Sequence, residues 1–203
     1  MKKQVISVIG LGFVGFPTAC ILANCKNKNS KDIFQVNGID KKLSKIKKEK
    51  FNFNLKTKIS YEDKNLNKIL KNIISKKKIN FSNKIKTVSN SDIIIISISF
   101  DFNNNNSAKK FNELRNLFKQ IATFIKKKSM ILMETTVPPG TCDNVVIPTL
   151  KKTLKKRGMK FVNCLKKASI EYEQIVQRRK VWVFKNVNNE KIELFKKTWL
   201  AKI

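Results

Sequence analysis

The sequence predicts an α/β fold: a doubly wound parallel sheet with helices on both faces. Three observations predict it. An apolar run, Val5–Ile9, ends in Gly10-Leu11-Gly12-Phe13-Val14-Gly15 and leads into a second apolar run, as a strand, a glycine turn and a helix do. A second short apolar stretch, Phe34–Ile39, ends on Asp40. Beyond it, strand-like and helix-like segments alternate, the pattern of parallel strands joined by covering helices.

Val5–Ile9 is the first strand and Phe13–Ala23 the helix after it, with Pro17 tolerated because it falls in the early turns. Phe34–Ile39 is the second strand. Leu43, Ile46 and Lys47 open a short basic helix that fades at Phe51-Asn52-Phe53-Asn54. Ser60 caps a further helix whose first turn carries Asp63, and Leu66, Ile69, Leu70, Ile73 and Ile74 give it an apolar stripe. Asp92–Ser99 is isoleucine-rich and β-branched, which suits a central parallel strand covered on both faces. After a turn at Asn103–Asn106, a helix from about Ala108 to Lys126 buries Phe111, Leu114, Phe118, Ile121, Ala122 and Ile125. Lys126-Lys127-Lys128 closes it, where cations suit the helix dipole. Ser129–Thr135 is the next strand and runs into Val137-Pro138-Pro139-Gly140. Asp143–Arg157 is a helix, bent near Pro148 and stopped by Gly158. Met159–Cys164 is expected to add a last parallel strand. A single domain thus covers 1–164. Residues 165–203 form a degenerate or truncated extension, charged and aperiodic from Lys166 to Lys180, then mixed, with Glu190, Glu193, Leu194, Phe195 and Leu200 at the spacing of one terminal helix.

The glycine turn carries the chemistry. In a dinucleotide-binding (Rossmann-like) unit the first glycine permits the turn, the second lets backbone approach a pyrophosphate, and the third lets the helix pack on the strand. Gly10, Gly12 and Gly15 stand at that spacing, with Phe13 and Val14 between the last two, and the helix N-terminus faces the phosphate charge. Asp40 suits hydrogen bonds from adenosine ribose hydroxyls, and its charge disfavours a 2′-phosphate. The expected cofactor is NAD rather than NADP. A different character competes for the same residues: Met1-Lys2-Lys3 and the uncharged stretch to Ala23 imitate a signal peptide or short membrane span. Three glycines and Pro17 interrupt that stretch, and the glycines fall at the nucleotide-binding spacing.

A chain of 203 residues, 41% of them hydrophobic, suffices for one domain with a substantial core. It contains no histidine, which excludes a histidine base, and Cys20, Cys25, Cys142 and Cys164 show no Cys-x-x-Cys spacing, so a zinc site is not expected. Cysteines in apolar settings suit a reduced, cytoplasmic protein. The net charge of +30 invites a nucleic-acid partner. Against it, only Arg115, Arg157, Arg178 and Arg179 among 44 basic residues are arginine, and the lysines are scattered over every polar face. A composition drawn toward Lys, Asn, Ile and Phe accounts for the charge without a specific nucleic acid. A membrane partner is not expected either.

With these residues in place, the chain resembles the nucleotide-sugar 6-dehydrogenases, the UDP-glucose/GDP-mannose dehydrogenase family. Val8–Gly15, Gly38-Ile39-Asp40 followed by Lys45, the strand Asp92–Ser99 and Glu134-Thr135-Thr136-Val137-Pro138-Pro139-Gly140-Thr141 carry the resemblance. The last segment is the most specific, and is somewhat nearer the branch acting on UDP-N-acetylhexosamines than the UDP-glucose branch. The resemblance implies oxidation of a UDP-sugar C6 hydroxyl to a carboxylate, with two NAD molecules reduced in turn and a cysteine thioester between the stages. It implies that Gly10, Gly12 and Gly15 cradle the pyrophosphate, that Asp40 and Lys45 hold the adenosine ribose, and that Thr136 touches the cofactor and helps hold a catalytic water. Glu173 falls near the family's acidic residue, with Gln174 where the family has arginine. The bland alternatives are that Thr136 ties its strand end to the next turn, and that Lys45 and Glu173 are solvated. The family's nucleophilic cysteine and sugar-binding segments belong to a chain about twice this long and have no counterpart here. The implied protein is the NAD-binding portion of such an enzyme, either truncated or encoded apart from its sugar-binding half; in the second case that C-terminal half is its expected partner. A non-catalytic NAD-binding or regulatory module and a basic nucleic-acid binder are the competing functions.

Overall fold

The computed structural model describes residues 3–45, 68–69, 72–73, 75–100, 107–162 and 181–183. Strand β1 (Gln4–Ile9) leads through the glycine turn into α1 (Gly15–Asn24), and β2 (Phe34–Ile39) follows. After a 3₁₀ turn, Lys41–Lys45, the described elements are β3 (Ile79–Ser82), a second 3₁₀ turn (Ile85–Asn90), β4 (Ile93–Ile96), α2 (Ser107–Phe124), β5 (Met130–Met133), a π-helical turn (Cys142–Val146) running into α3 (Ile147–Lys156), and β6 (Val181–Val183). The sheet order is β3-β2-β1-β4-β5-β6. The first five strands are parallel, and β6 joins the β5 edge antiparallel, pairing Ile131 with Trp182.

Strand alternation sends successive side chains to opposite faces. Ile6, Val8, Ile93, Ile95, Met130 and Leu132 face α1 and the helical residues Ile69 and Ile73. Ile94, Ile96, Ile131 and Met133 face α2 and α3, where Leu114, Phe118, Ile121, Ala122, Leu150 and Leu154 complete a second core. Two apolar layers around one sheet therefore confirm the doubly wound arrangement. The uncharged N-terminal stretch is a strand, a turn and a ten-residue helix rather than one span. No helix among the described residues is long and apolar enough to cross a membrane.

Met159–Cys164 is corrected: residues 159–162 form no strand. Gly158 turns left-handed (φ +65°), and the amides of Gly158 and Met159 bond back to the carbonyls of Lys155 and Leu154 at 3.0 and 2.9 Å. The backbone there closes α3, and Met159 folds into the α2–α3 core. The β5 edge is taken instead by β6, inside the stretch read as a degenerate tail. Strand β3 has no counterpart in the sequence reading. Ser60, Leu66, Leu70, Ile74, the Asn103–Asn106 turn and the terminal helix near Leu200 lie outside the described residues.

Candidate functional site

The glycine turn lies at the carboxyl end of β1, between the ends of β2 and β4. Gly10 adopts φ +91°, and a Cβ there would collide with the carbonyl of Ser97 just past β4. A Cβ on Gly15 would collide with the carbonyl oxygen of Gly10 and come within 3.0 Å of Ser97 Cβ. Both positions are thus closed by the protein's own backbone. Gly12 is the opposite case: a Cβ there meets nothing within 4 Å, so the chain leaves open space above it. That space adjoins the N-terminal turn of α1, whose first turn carries no acidic side chain. Phe13 and Val14 flank it, 76% and 59% exposed. This cradle fits a pyrophosphate brought against backbone and helix N-terminus.

Asp40 is bonded into the same turn. Its Oδ2 accepts the amide of Leu11 at 3.0 Å and its Oδ1 the amide of Lys42 at 2.8 Å. Each carboxylate oxygen has two lone pairs, so acceptor capacity is left for a ribose. The carboxylate therefore orients the glycine turn as well as standing beside it, a task the sequence did not reveal. Lys45 ends the 3₁₀ turn Lys41–Lys45; its side chain lies outside the described residues, and so does Glu173.

Lateral backbone bonds stitch the strand ends together. Gly10 donates to Ile39 O at 2.8 Å, Ser97 to Ile9 O at 2.8 Å, and Glu134 to Ile96 O at 2.9 Å. Beyond them Thr135 is buried, accepting the amide of Ile98 at 3.0 Å, while Thr136 is exposed at the carboxyl end of β5. The structure thus gathers Gly10, Gly12, Phe13, Val14, Gly15, Asp40 and Thr136 at one end of the sheet. Two participants were missed by sequence reasoning. Ser97 walls the glycines, and Thr135, rather than Thr136, makes the strand-end tie. Their only signal was position, near the carboxyl ends of two predicted strands.

The described cysteines do not join this group. Cys20, Cys25 and Cys142 are buried and in no disulfide, and burial pushes Cys20 up to about 12, which keeps it protonated. A cleft of about 810 Å³ lies at the amino end of the strands, lined by residues that include Lys3, Gln4, Asn37, Asp92 and Lys126. Its cations already have carboxylate partners, Lys126 with Asp92 at 2.9 Å and Lys3 with Asp32 at 3.7 Å.

Known proteins resemble this chain in sequence and in fold. A family model described as "UDP-glucose/GDP-mannose dehydrogenase family, NAD binding domain" matches residues 4–172. A UDP-N-acetyl-D-mannosamine dehydrogenase of Methanocaldococcus jannaschii is 27% identical over 161 residues, covering 78% of this chain and 33% of the relative. Its counterpart in Methanococcus vannielii is 25% identical over 144 residues, covering 71% and 31%. The solved UDP-D-ManNAc dehydrogenase of Pyrococcus horikoshii superposes with a TM-score of 0.54 at 19% identity, over 75% of this chain and 33% of that one, a likeness of fold. The matches span about a third of the relatives' length.

Proposed function

Since this chain belongs to the UDP-glucose/GDP-mannose dehydrogenase family and forms its NAD-binding domain, we propose that it is the cofactor platform of a nucleotide-sugar 6-dehydrogenase. The complete enzyme would oxidise the C6 hydroxyl of a UDP-N-acetylhexosamine or UDP-glucose to a carboxylate. NAD, when bound, supplies the hydride acceptor for that chemistry. The observation that carries this proposal is the contrast within the turn, where Gly10 and Gly15 are closed by backbone and Gly12 is open. An anion reaching that opening meets the α1 N-terminus with no acid in its first turn. Asp40 would accept from the adenosine ribose and repel a 2′-phosphate. Thr136, exposed past the end of β5, would offer its hydroxyl to the cofactor or to a catalytic water.

The purified 203-residue chain is expected to bind NADH saturably in a fluorescence titration and NADPH at least about tenfold more weakly. Asp40→Ala should narrow that gap. Equal affinity for the two cofactors in the unaltered chain would remove Asp40 from its role. Alone, the chain should produce no NADH with UDP-glucose, UDP-N-acetylglucosamine or UDP-N-acetylmannosamine. A separately expressed C-terminal half should restore production, and two NADH per sugar from this chain alone would overturn the platform role.

A further inference from the structure

We propose that Thr135 is a positioning residue for the cofactor turn, holding through its hydroxyl the backbone against which the glycines pack. This rests on the glycine turn being the NAD site. The β4–β5 register ends with Ile96 opposite Met133. Ile98 lies beyond it, and its amide donates to Thr135 Oγ1 at 3.0 Å instead of to a strand carbonyl. The same hydroxyl donates to Ile96 O at 3.3 Å. One side chain therefore brackets the peptide units on either side of Ser97.

Ser97 is the wall of the turn. Its carbonyl occupies the place of a Gly10 Cβ, its own Cβ borders Gly15, and its amide bonds to Ile9 O at 2.8 Å. A pyrophosphate held by backbone depends on where that backbone sits, and no rotamer change can compensate for a shift. Thr135 is buried, 5% exposed, so it acts through Ser97 and does not touch the cofactor. Valine has the shape of threonine but removes the acceptor for the Ile98 amide, leaving a part-buried donor unmade. Serine keeps the hydroxyl.

The test compares the full chain with Thr135→Val, Thr135→Ser and, as a control, Ile121→Val, which loses one methyl from the buried face of α2. NADH titration and thermal melting are recorded on all four. Thr135→Val should weaken NADH binding about tenfold. Thr135→Ser should stay within about twofold of the unaltered chain, and Ile121→Val should lower the melting temperature without changing affinity. Full NADH affinity in Thr135→Val overturns the inference, as does failure of serine to rescue, or a loss of affinity in Ile121→Val in step with its melting temperature. Absence of saturable NADH binding by the unaltered chain would instead overturn the platform function itself.

Discussion

The two ends of the parallel sheet are built from different groups. Toward the amino end, side chains make the bonds: Ser7 Oγ lies 2.6 Å from Ser91 Oγ, Asn37 donates to Ser7 Oγ at 3.2 Å, and Ser129 Oγ donates to the backbone carbonyl of Ser91 at 2.7 Å. Asp92 accepts the Val5 amide at 2.9 Å and pairs with Lys126. At the carboxyl end, backbone meets backbone around Gly10, Gly15 and Ser97, and open space remains above Gly12. Polar groups that satisfy one another stabilise a fold and have little left for a ligand. A turn that excludes side chains from two positions and leaves a third open is shaped for a visitor. On the proposed reading, the amino end serves stability and the carboxyl end serves cofactor binding.

The largest effects should separate two glycines three residues apart. Gly15→Val drives a side chain into the Gly10 carbonyl, a backbone collision that no rotamer relieves. It should lose more than about 3 kcal/mol in urea unfolding and leave little folded chain. Gly12→Val enters open space at a position without a left-handed φ, so stability should stay within about 1 kcal/mol. NADH affinity should nevertheless fall at least tenfold, because the new side chain stands where backbone must approach the pyrophosphate. Unchanged stability in the first variant, or unchanged NADH affinity in the second, would break the contrast.

Ser7→Ala tests the amino end. Ser7 is fully buried, and its loss leaves the Ser91 hydroxyl and the Asn37 amide short of a partner. A destabilisation of about 1–3 kcal/mol is expected in chemical denaturation. NADH affinity, measured where both proteins are folded, should not move. A parallel loss of affinity would show that the two ends are coupled through β1.

What could be read in the sequence follows how local each determinant is. Phe34–Ile39 was bounded correctly because apolar residues and Asp40 mark both its face and its end. The α2 stripe was legible from 3.6-residue periodicity, and Leu114, Phe118, Ile121, Ala122 and Ile125 are all buried. β3 escaped because an edge strand of four residues, Ile-Asn-Phe-Ser, offers too little pattern beside flanking lysines. Met159 misled because its apolar character serves a helix cap rather than a sheet. Gly10, Gly12, Gly15 and Asp40 were legible as a motif, since one turn and one strand end contain them. The contribution of Ser97 and Thr135 was not, since it arises where residues 37 apart in sequence meet, as Ile98 and Thr135 do.

The smallest effect sharpens the comparison from the outermost layer. Asp32, on the loop before β2, pairs with Lys78 at 2.7 Å and with Lys3 at 3.7 Å. The hydrogen bond from Lys78 holds its carboxyl below the usual 3.8, and the nearby lysine charges add to this. A lowered carboxyl pKa stabilises the fold above the usual value, and that contribution is lost as pH falls through the folded-state value. Solvent screens a pair at this surface, so Lys78→Ala should lose no more than about 0.5 kcal/mol at pH 7. The difference from the unaltered chain should shrink in high salt and close as the pH is taken below 3.8. A gap that persisted undiminished in acid would mean that Lys78 contributes through packing of its aliphatic stem, not through charge. In either case NADH affinity should stay fixed, because this pair lies beyond the amino end of the strands and the glycine turn at their carboxyl end.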